Sequence, residues 1–173
     1  MDFVSESLQD RHRLTAFDCG KPEMNLWLQN SAHQAERMRT CRTTVWHRGD
    51  GVVVGYYGLT AHVIERDQLP RRLGRGKPDR IPAVLIARLA LDSSLQGNGL
   101  GGVLLVDALG RIIAATNNVA AYFVVVDAVD DEAAKFYARH QFEQTPRRWR
   151  MVRKVSDIAA DFAAEHRYKR EPA

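Results

Sequence analysis

The chain has only two cysteines, Cys19 and Cys41, and no run that approaches the roughly 20 apolar residues of a membrane-spanning helix. One disulfide would add little to a chain of this size, so we expect both thiols to be reduced. The first residues lack the basic region and apolar core of a signal peptide. The six histidines show no metal-ligand spacing, and we expect no metal. These absences favour a cytoplasmic protein that does not enter a membrane.

The 173 residues are 45% hydrophobic and 27% charged, which is globular composition. We expect one domain over residues 1–173, with a core at about 3–155 and a C-terminal helix and charged tail at 156–173. The net charge is +4, but the positive charge is clustered. Such clusters bind a polyanion if the fold gathers them on one face, and otherwise they are solvated loops. The clusters are Arg37, Arg39, Arg42 and Arg48; Arg66, Arg71, Arg72, Arg75, Lys77 and Arg80; and Arg147, Arg148, Arg150, Arg153 and Lys154.

Hydrophobic periodicity predicts alternating helices and strands. A helix with one core face is predicted between Asp18 and Met38, and the Pro- and Gly-containing segment Glu65 to Arg80 predicts a long, exposed connection. The apolar run Val84 to Leu91 is typical of a strand buried on both faces, and it starts a strand-helix-strand unit with parallel strands. We therefore expect the α/β class, with a central mixed sheet of the α+β kind flanked by helices. The other predicted strands are Thr43 to His47, Val52 to Ala61, Ala121 to Ala128 and Trp149 to Val155, and the other helices are Leu100 to Ala115, one from Asp130 and one after Ser156.

The six residues from Gln96 to Gly101 (Q-G-N-G-L-G), between a predicted strand and a predicted helix, carry the clearest ligand signal. Glycines at positive φ let consecutive N–H groups converge on an anion at a helix start, where the helix dipole favours negative charge. The pattern is neither the G-x-G-x-x-G of dinucleotide-binding folds nor a P-loop with its Lys-Ser/Thr pair. It reads Q-x-x-G-x-G after a strand. The alternative is an ordinary glycine turn before a helix.

This motif resembles the acetyl-CoA signature of the GNAT acetyltransferase superfamily, and the resemblance extends over residues 3–155. More narrowly, the chain is similar to the acetyltransferase toxins of bacterial toxin-antitoxin pairs. The resemblance implies the GNAT acyltransferase fold, with a strand, a pyrophosphate loop and a helix as the acetyl-CoA site. The matching blocks, in order, are Phe17-Asp18-Cys19-Gly20, Leu26-Trp27-Leu28, Arg42-Thr43, Gly55-Tyr56-Tyr57, Ile81-Pro82, Ala87-Arg88-Leu89-Ala90, Gln96 to Gly101, Val126-Asp127-Ala128, and Ala133 with Phe136-Tyr137.

The function that the resemblance implies is that of a type II toxin. It would move acetyl from acetyl-CoA, its co-substrate, to the amino group of aminoacyl-tRNA and so block translation. The implied partner is a small ribbon-helix-helix antitoxin whose tail wraps the toxin. The pair would repress its own operon, with operator DNA contacted only through the antitoxin, and the toxin would form a homodimer within that complex.

The resemblance also implies site residues. Tyr137 is the candidate general acid: its hydroxyl is protonated at pH 7 and can give a proton to the CoA thiolate, although a packed core tyrosine is the alternative. Backbone N–H groups of the glycine loop should hold the pyrophosphate, with Gln96 as a polar anchor, and the strand edge should pair with the pantetheine arm. The cofactor-binding candidates are Leu89, Ala90, Leu91, Gln96, Gly97, Asn98, Gly99, Leu100, Gly101 and Gly102.

Four cations are candidates for RNA contact. Arg42 and Arg88 match arginines of the toxin family, and Lys77 and Arg80 of the basic connection support them. Arg88 lies in a strand that is otherwise apolar, so it needs a partner or a site, and a buried salt bridge is its alternative.

One position departs from the family pattern. Gln141 stands where the family block Phe-Tyr-x-x-x-Gly-Phe usually has glycine, which puts the geometry of the loop after Tyr137 in doubt because that glycine often serves a turn at positive φ. Two other functions stay open. One is an acetyltransferase for a small-molecule or protein amine, which the arginine-rich loops disfavour. The other is a catalytically silent antitoxin partner and co-repressor, which the intact glycine motif and Tyr137 disfavour.

Overall fold

Strands and helices alternate along residues 2–168, which are the residues described by the computed structural model. The strands are β1 (Val4–Ser7), β2 (Arg42–His47), β3 (Gly55–Glu65), β4 (Arg80–Leu91), β5 (Phe123–Asp127), β6 (Glu143–Gln144) and β7 (Arg150–Lys154). The α-helices are α1 (Pro22–Asn30), α2 (Ala32–Arg37), α3 (Arg71–Gly74), α4 (Leu100–Thr116), α5 (Asp131–Arg139) and α6 (Val155–Tyr168).

The strands of the described residues form one seven-stranded sheet in the order β1-β2-β3-β4-β5-β7-β6. β2 pairs with β1 and β3 in antiparallel fashion, and β7 pairs with β5 and β6 in the same way. The Tyr122 N–H donates to the Pro82 carbonyl, near the start of both β5 and β4, as expected of parallel strands joined through a helix. The prediction of a mixed sheet flanked by helices is confirmed.

Two compact units divide the chain, residues 2–60 with 86–108 and residues 61–85 with 109–168. The first has a core in which the rings of Phe17 and Tyr56 lie edge to face, 5.4 Å apart between centroids. The second has a core that includes Ile64, Phe123 and Val152. One domain over residues 1–173 stays a prediction, and the last part of the predicted tail, residues 169–173, lies outside the described residues.

The predicted helix between Asp18 and Met38 is wrong in its continuity. Ser31, with φ −123° and ψ −25°, is not helical and separates α1 from α2. Its N–H still donates to the Trp27 carbonyl, so the chain turns without losing that backbone hydrogen bond. The break allows Leu28, at the end of α1, and Ala32, at the start of α2, to be buried in the same core.

The strand predictions are corrected in extent and in burial. β3 begins at Gly55 because Val52 forms an isolated bridge to Arg13 instead, and β3 runs on to Glu65. β4 begins at Arg80, before the predicted start. β4 is also not buried on both faces, since its burial varies along the strand and several apolar side chains, such as Val84, stay partly exposed. β1 and β6 were not predicted, because four and two residues are too short for a periodic signal.

The segment between β3 and β4 is more ordered than an exposed connection. We call residues 66–79 the basic loop. The Arg66 N–H donates to the Asp79 carbonyl over 2.8 Å and closes the loop at its base. Leu69 and Leu73 are buried in the core of the second unit, so the loop has an inner face as well as a solvated one. It is a compact surface loop of the kind that is often functional.

Candidate active site

The glycine loop after β4 has the backbone that an anion cradle needs. Gly97 and Gly99 have φ of +79° and +76°, in the left-handed region that favours glycine. A Cβ at either position would meet nothing within 4 Å, so backbone conformation and open space, rather than crowding, explain the two glycines. α4 starts at the next residue, Leu100, and its first turn carries no acidic side chain. The Gly102 N–H already donates to the Gly99 carbonyl over 3.1 Å, whereas N–H groups at a helix start that lack intrahelical partners can bind an anion.

The Gln96 side chain fastens this loop to its surroundings. Its Nε2 donates to the carbonyls of Leu91 (2.8 Å) and Cys19 (3.0 Å). Leu91 is the last residue of β4, so one amide group ties the cradle to the strand end that is predicted to pair with pantetheine. The amide nitrogen is thus occupied by backbone acceptors, and a role of Gln96 in holding the cofactor stays a prediction.

Asp107 on α4 is a positioning residue that the sequence did not reveal. Its Oδ2 accepts hydrogen bonds from side chains on three strands. They come from Ser5 Oγ on β1 (2.5 Å), Trp46 Nε1 on β2 (3.0 Å) and Tyr57 Oη on β3 (2.9 Å). This carboxylate fixes the N-terminal half of α4, and with it the glycine loop, against β1 to β3. One indication of this role was present in the sequence, since Asp107 is the only acidic residue in the mostly apolar helix α4.

Tyr137 lies on α5, whose start is capped by Asp130: the Asp130 Oδ1 accepts the Ala133 N–H over 2.8 Å. The ring is 8% exposed and packs edge-on against Phe136 and Phe142, with centroids 5.2 and 5.6 Å away. Burial raises the pKa of Tyr137 above its usual value of 10, so the hydroxyl keeps its proton at neutral pH. The catalytic role of this hydroxyl stays a prediction.

Gln141, the departure from the family pattern, adopts the conformation that the usual glycine would have. Its φ is +67°, in the left-handed region. A hydrogen bond holds the Gln141 side chain in place, because Arg153 Nη2 donates to Gln141 Oε1 over 3.1 Å. Arg153 is also paired with Asp161. The loop therefore keeps its turn, and Phe142 follows it into the core beside Tyr137.

The four candidate RNA-binding cations fall into two kinds. Arg42 pairs with Glu36 (2.8 Å), and Arg80 lies 3.6 Å from a carboxylate oxygen of Glu65. Arg88 and Lys77 instead lie over aromatic faces, at 4.1 Å from the Trp27 ring and 4.0 Å from the Tyr122 ring. A ring attracts the charge without occupying the N–H donors at the edge of the cation, which stay available to a phosphate. Arg42 and Arg88 belong to the first unit, and Lys77 and Arg80 to the second.

A second aromatic residue, Tyr56, packs against the Trp27 ring. The two rings are stacked, with centroids 5.9 Å apart and planes 13° from parallel. The Tyr56 hydroxyl donates to the Met24 carbonyl over 2.9 Å. Arg88 thus lies over a ring that is itself stacked on Tyr56, and it is half-buried, where the sequence left a buried salt bridge open as its alternative.

Glu6, His12 and His47, which are far apart in the sequence, bring three possible metal-ligand atoms within 4.8 Å of one another. Glu6 Oε1 lies 3.0 Å from His12 Nε2 and 2.7 Å from His47 Nε2. On each ring Nδ1 accepts a backbone N–H, from Gln9 in one and from Gly49 in the other. Each Nε2 therefore carries a proton and donates it to Glu6, which leaves no lone pair for a metal. The hydrogen bonds agree with the expectation of no metal.

The comparison with known proteins begins with a negative result: no family model matches the chain. The tRNA-acetylating toxin of Mycobacterium tuberculosis is 36% identical to it over 139 residues, which cover 80% of this chain and 83% of that protein. The chain belongs to the tRNA-acetylating toxins, which are GNAT-fold acetyltransferases.

Solved structures of toxins agree with this assignment. AtaT in complex with acetyl-methionyl-tRNAfMet has a TM-score of 0.86 and 29% identity, and the match covers 93% of this toxin and 99% of that chain. A tyrosine-to-phenylalanine mutant of AtaT bound to the C-terminus of the antitoxin AtaR and acetyl-CoA has a TM-score of 0.80 and 28% identity, covering 94% and 99%. The fold predicted from the glycine motif and the other blocks is thereby confirmed.

The toxin also contains a charged cluster that the sequence did not indicate. Arg150 on β7 binds Asp127 on β5 through two parallel hydrogen bonds of 2.7 and 2.6 Å, and its third nitrogen lies 3.3 Å from His62 Nε2. Arg150 holds the pKa of Asp127 below its usual value. Burial and the nearby Arg150 lower the pKa of His62. The His62 lone pair faces the guanidinium, so this ring is no free general base for the toxin.

No helix of the toxin within the described residues is both long and apolar enough to span a membrane. Cys19 and Cys41 are both free and buried, as expected of reduced thiols. Burial raises the pKa of each thiol, so neither is an activated thiolate.

Proposed function

We propose that the chain is the toxin of a type II toxin-antitoxin pair, which acetylates the amino group of an aminoacyl-tRNA and thereby stops translation. The observation that carries this proposal is Tyr137, buried and held protonated on α5 of a chain 36% identical to a tRNA-acetylating toxin. A tyrosine hydroxyl is neutral near pH 7 and therefore has a proton to give to a leaving thiolate.

Acetyl-CoA, as co-substrate, supplies an acetyl thioester. The N–H groups of Gly97 to Gly101 hold its pyrophosphate, and Leu89, Ala90 and Leu91 offer the strand edge to its pantetheine arm. The aminoacyl nitrogen forms an amide bond to the acetyl carbon while the carbon–sulfur bond breaks. The sulfur takes the Tyr137 proton, and the amine gives its own proton to solvent, from which Tyr137 is restored.

The acceptor amine needs little help from a base. An α-amino group has a reference pKa of about 7.7–8.0, so a substantial fraction is neutral near pH 7. Arg42, Arg88, Lys77 and Arg80 are proposed to hold the RNA, and the two on aromatic faces are the stronger candidates. The proposed partners are an aminoacyl-tRNA and a ribbon-helix-helix antitoxin, with the toxin as a cytoplasmic homodimer that reaches operator DNA only through the antitoxin. The structural neighbour AtaT supports an aminoacyl-tRNA and an antitoxin as partners by its complexes with acetyl-methionyl-tRNAfMet and with the C-terminus of AtaR.

The test is mass spectrometry of bulk charged tRNA incubated with the protein and labelled acetyl-CoA. We expect label on the aminoacyl nitrogen with the wild type and a large loss with Tyr137→Phe, which keeps the packed ring and removes only the hydroxyl. Acetyl-CoA binding by both proteins, measured by calorimetry, is the control for folding. Acetyl-CoA binding without label on any tRNA would contradict the proposal and favour a small-molecule or protein amine.

A further inference from the structure

The basic loop is built as a rigid element. Besides the bond that closes it, the Leu73 and Gly74 N–H groups donate to the Pro70 carbonyl, and Arg66 Nη1 donates to the Lys77 carbonyl over 2.9 Å. A Cβ on Gly74 would lie 3.1 Å from Arg66 Cγ and from its carbonyl oxygen, so the two sides of the loop are in close contact. Side chains on such a loop are presented with little loss of backbone entropy on binding.

This loop forms a cavity of about 730 Å³ that is open to solvent, and its wall contains Arg66, Arg71, Arg72 and Arg75 together with one acidic residue, Asp67. Four guanidinium groups around one concave surface raise the local concentration of anions. The volume is larger than a single phosphate needs and suits a segment of a polyanion. Nothing in the acetyl transfer reaction derived above uses this cavity.

The charges of these arginines are not all neutralised. Arg66 pairs with Asp79 (2.5 Å), and Arg72 pairs with Glu143. Among the ion pairs within residues 2–168, Arg71 and Arg75 take part in none. Both are exposed, so their planar N–H forks are free to bind an anion in bidentate fashion.

The lysine that follows the cavity residues in the sequence lies on an aromatic ring, which favours nucleic acid over an acidic peptide. Lys77 follows the cavity residue Gly76, and its Nζ lies 4.0 Å from the centroid of Tyr122, which is 38% exposed. A cation held over a partly exposed ring keeps its N–H donors available to a phosphate, and proteins hold unpaired nucleotides through such phosphate contacts and through exposed aromatic surface.

We propose that the cavity of the basic loop binds backbone phosphates of the tRNA through Arg71 and Arg75. This rests on the proposed function and adds a site remote in sequence from the acetyl-CoA loop and from Tyr137. Its role is to hold the RNA and not to carry out chemistry, so its loss weakens substrate binding and leaves the acetyl-transfer step intact.

The test compares Arg71→Gln/Arg75→Gln with Arg13→Gln/Arg167→Gln, a matched pair of exposed arginines outside the basic clusters that changes the net charge equally. We expect the loop variant to raise KM for aminoacyl-tRNA about tenfold with kcat unchanged, as the loss of two charge-assisted contacts implies. The slope of log affinity for uncharged tRNA against log salt should become less steep by about 1.5, and acetylation of an aminoacyl ester of a single nucleotide should not change. The matched control should behave as the wild type.

Equal KM and equal salt slope in the loop variant and the control would overturn the proposal. So would loss of binding to the antitoxin's C-terminal segment with tRNA binding intact, which would assign the cavity to a peptide. A wild type that acetylates no aminoacyl-tRNA would refute the proposed function instead. Binding of uncharged tRNA by the loop variant and the control would still decide the role of the cavity.

Discussion

Replacing Trp27 by leucine removes the ring beneath Arg88 without changing any charge. The Arg88 guanidinium lies 4.1 Å from the ring centroid, and the ring stacks on Tyr56. If Arg88 binds RNA phosphate, Trp27 acts as its positioning residue. The substitution should then weaken RNA binding even though every candidate contact residue is still present.

The size of the effect follows from the geometry. A cation on a ring face gains about 0.5–1 kcal/mol when exposed and about 2 kcal/mol when desolvated, so the half-buried Arg88 falls near 1 kcal/mol. Re-ordering a released arginine on binding costs a similar amount, about 0.5–1.5 kcal/mol. One kcal/mol corresponds to about a fivefold rise in KM for aminoacyl-tRNA. Since the substitution does not affect the acetyl-transfer step, kcat at saturating tRNA should be unchanged.

Steady-state acetylation with a double-mutant cycle checks this prediction. Trp27→Phe keeps a ring face and should restore most of the affinity. In an Arg88→Met background, Trp27→Leu should have no further effect on KM, because its action runs through Arg88. Additive effects of the two substitutions, or a KM for Trp27→Leu equal to that of the wild type, would refute the reasoning.

Three further predictions concern charge and backbone. The hydrogen bonds from two histidines, His47 and His12, lower the pKa of Glu6 to about 2 from 4.5. Ionised Glu6 therefore stabilises the fold fully above about pH 4.5, and this contribution is lost as the pH falls towards 2. In a plot of melting temperature against pH, Glu6→Gln should flatten the part between these two values. Asp127→Asn leaves the buried Arg150 without its carboxylate and should lower the free energy of unfolding by about 2 kcal/mol in urea titrations. Glu143→Gln breaks an exposed ion pair and should lower it by less than about 0.5 kcal/mol. Equal losses would contradict the argument from burial. Gly99→Ala places a side chain at φ +76° and should raise the Kd for acetyl-CoA, measured by calorimetry, while the melting temperature is little changed. An unaltered Kd would argue against the glycine loop as the pyrophosphate site.

The sequence predicted the features that local pattern determines. The glycine loop and α4 were correct because glycine at positive φ, followed by an amphipathic run, is a local signal that needs no tertiary partner. Tyr137 was found through its place in a family block, and its burial and raised pKa depend on the Phe136 and Phe142 rings packed against it.

Features that depend on long-range contacts could not be predicted. Asp107 binds partners 102, 61 and 50 residues away, and no spacing in the chain relates these positions. The basic loop was predicted to be an exposed connection because prolines, glycines and arginines dominate it. Its two buried leucines, Leu69 and Leu73, are ordinary apolar residues until the core of the second unit is assembled around them.

The hydrogen bond between the Arg66 N–H and the Asp79 carbonyl allows the basic loop to vary independently of the two strands that it joins. Because the bond closes the loop where β3 ends and β4 begins, the length and charge of the residues between can change over evolution while both strands keep their register. If the proposed phosphate site is correct, a toxin of this kind acquires a different set of RNA targets by altering the basic loop alone. The glycine loop, which lies after the other end of β4, would be inherited unchanged.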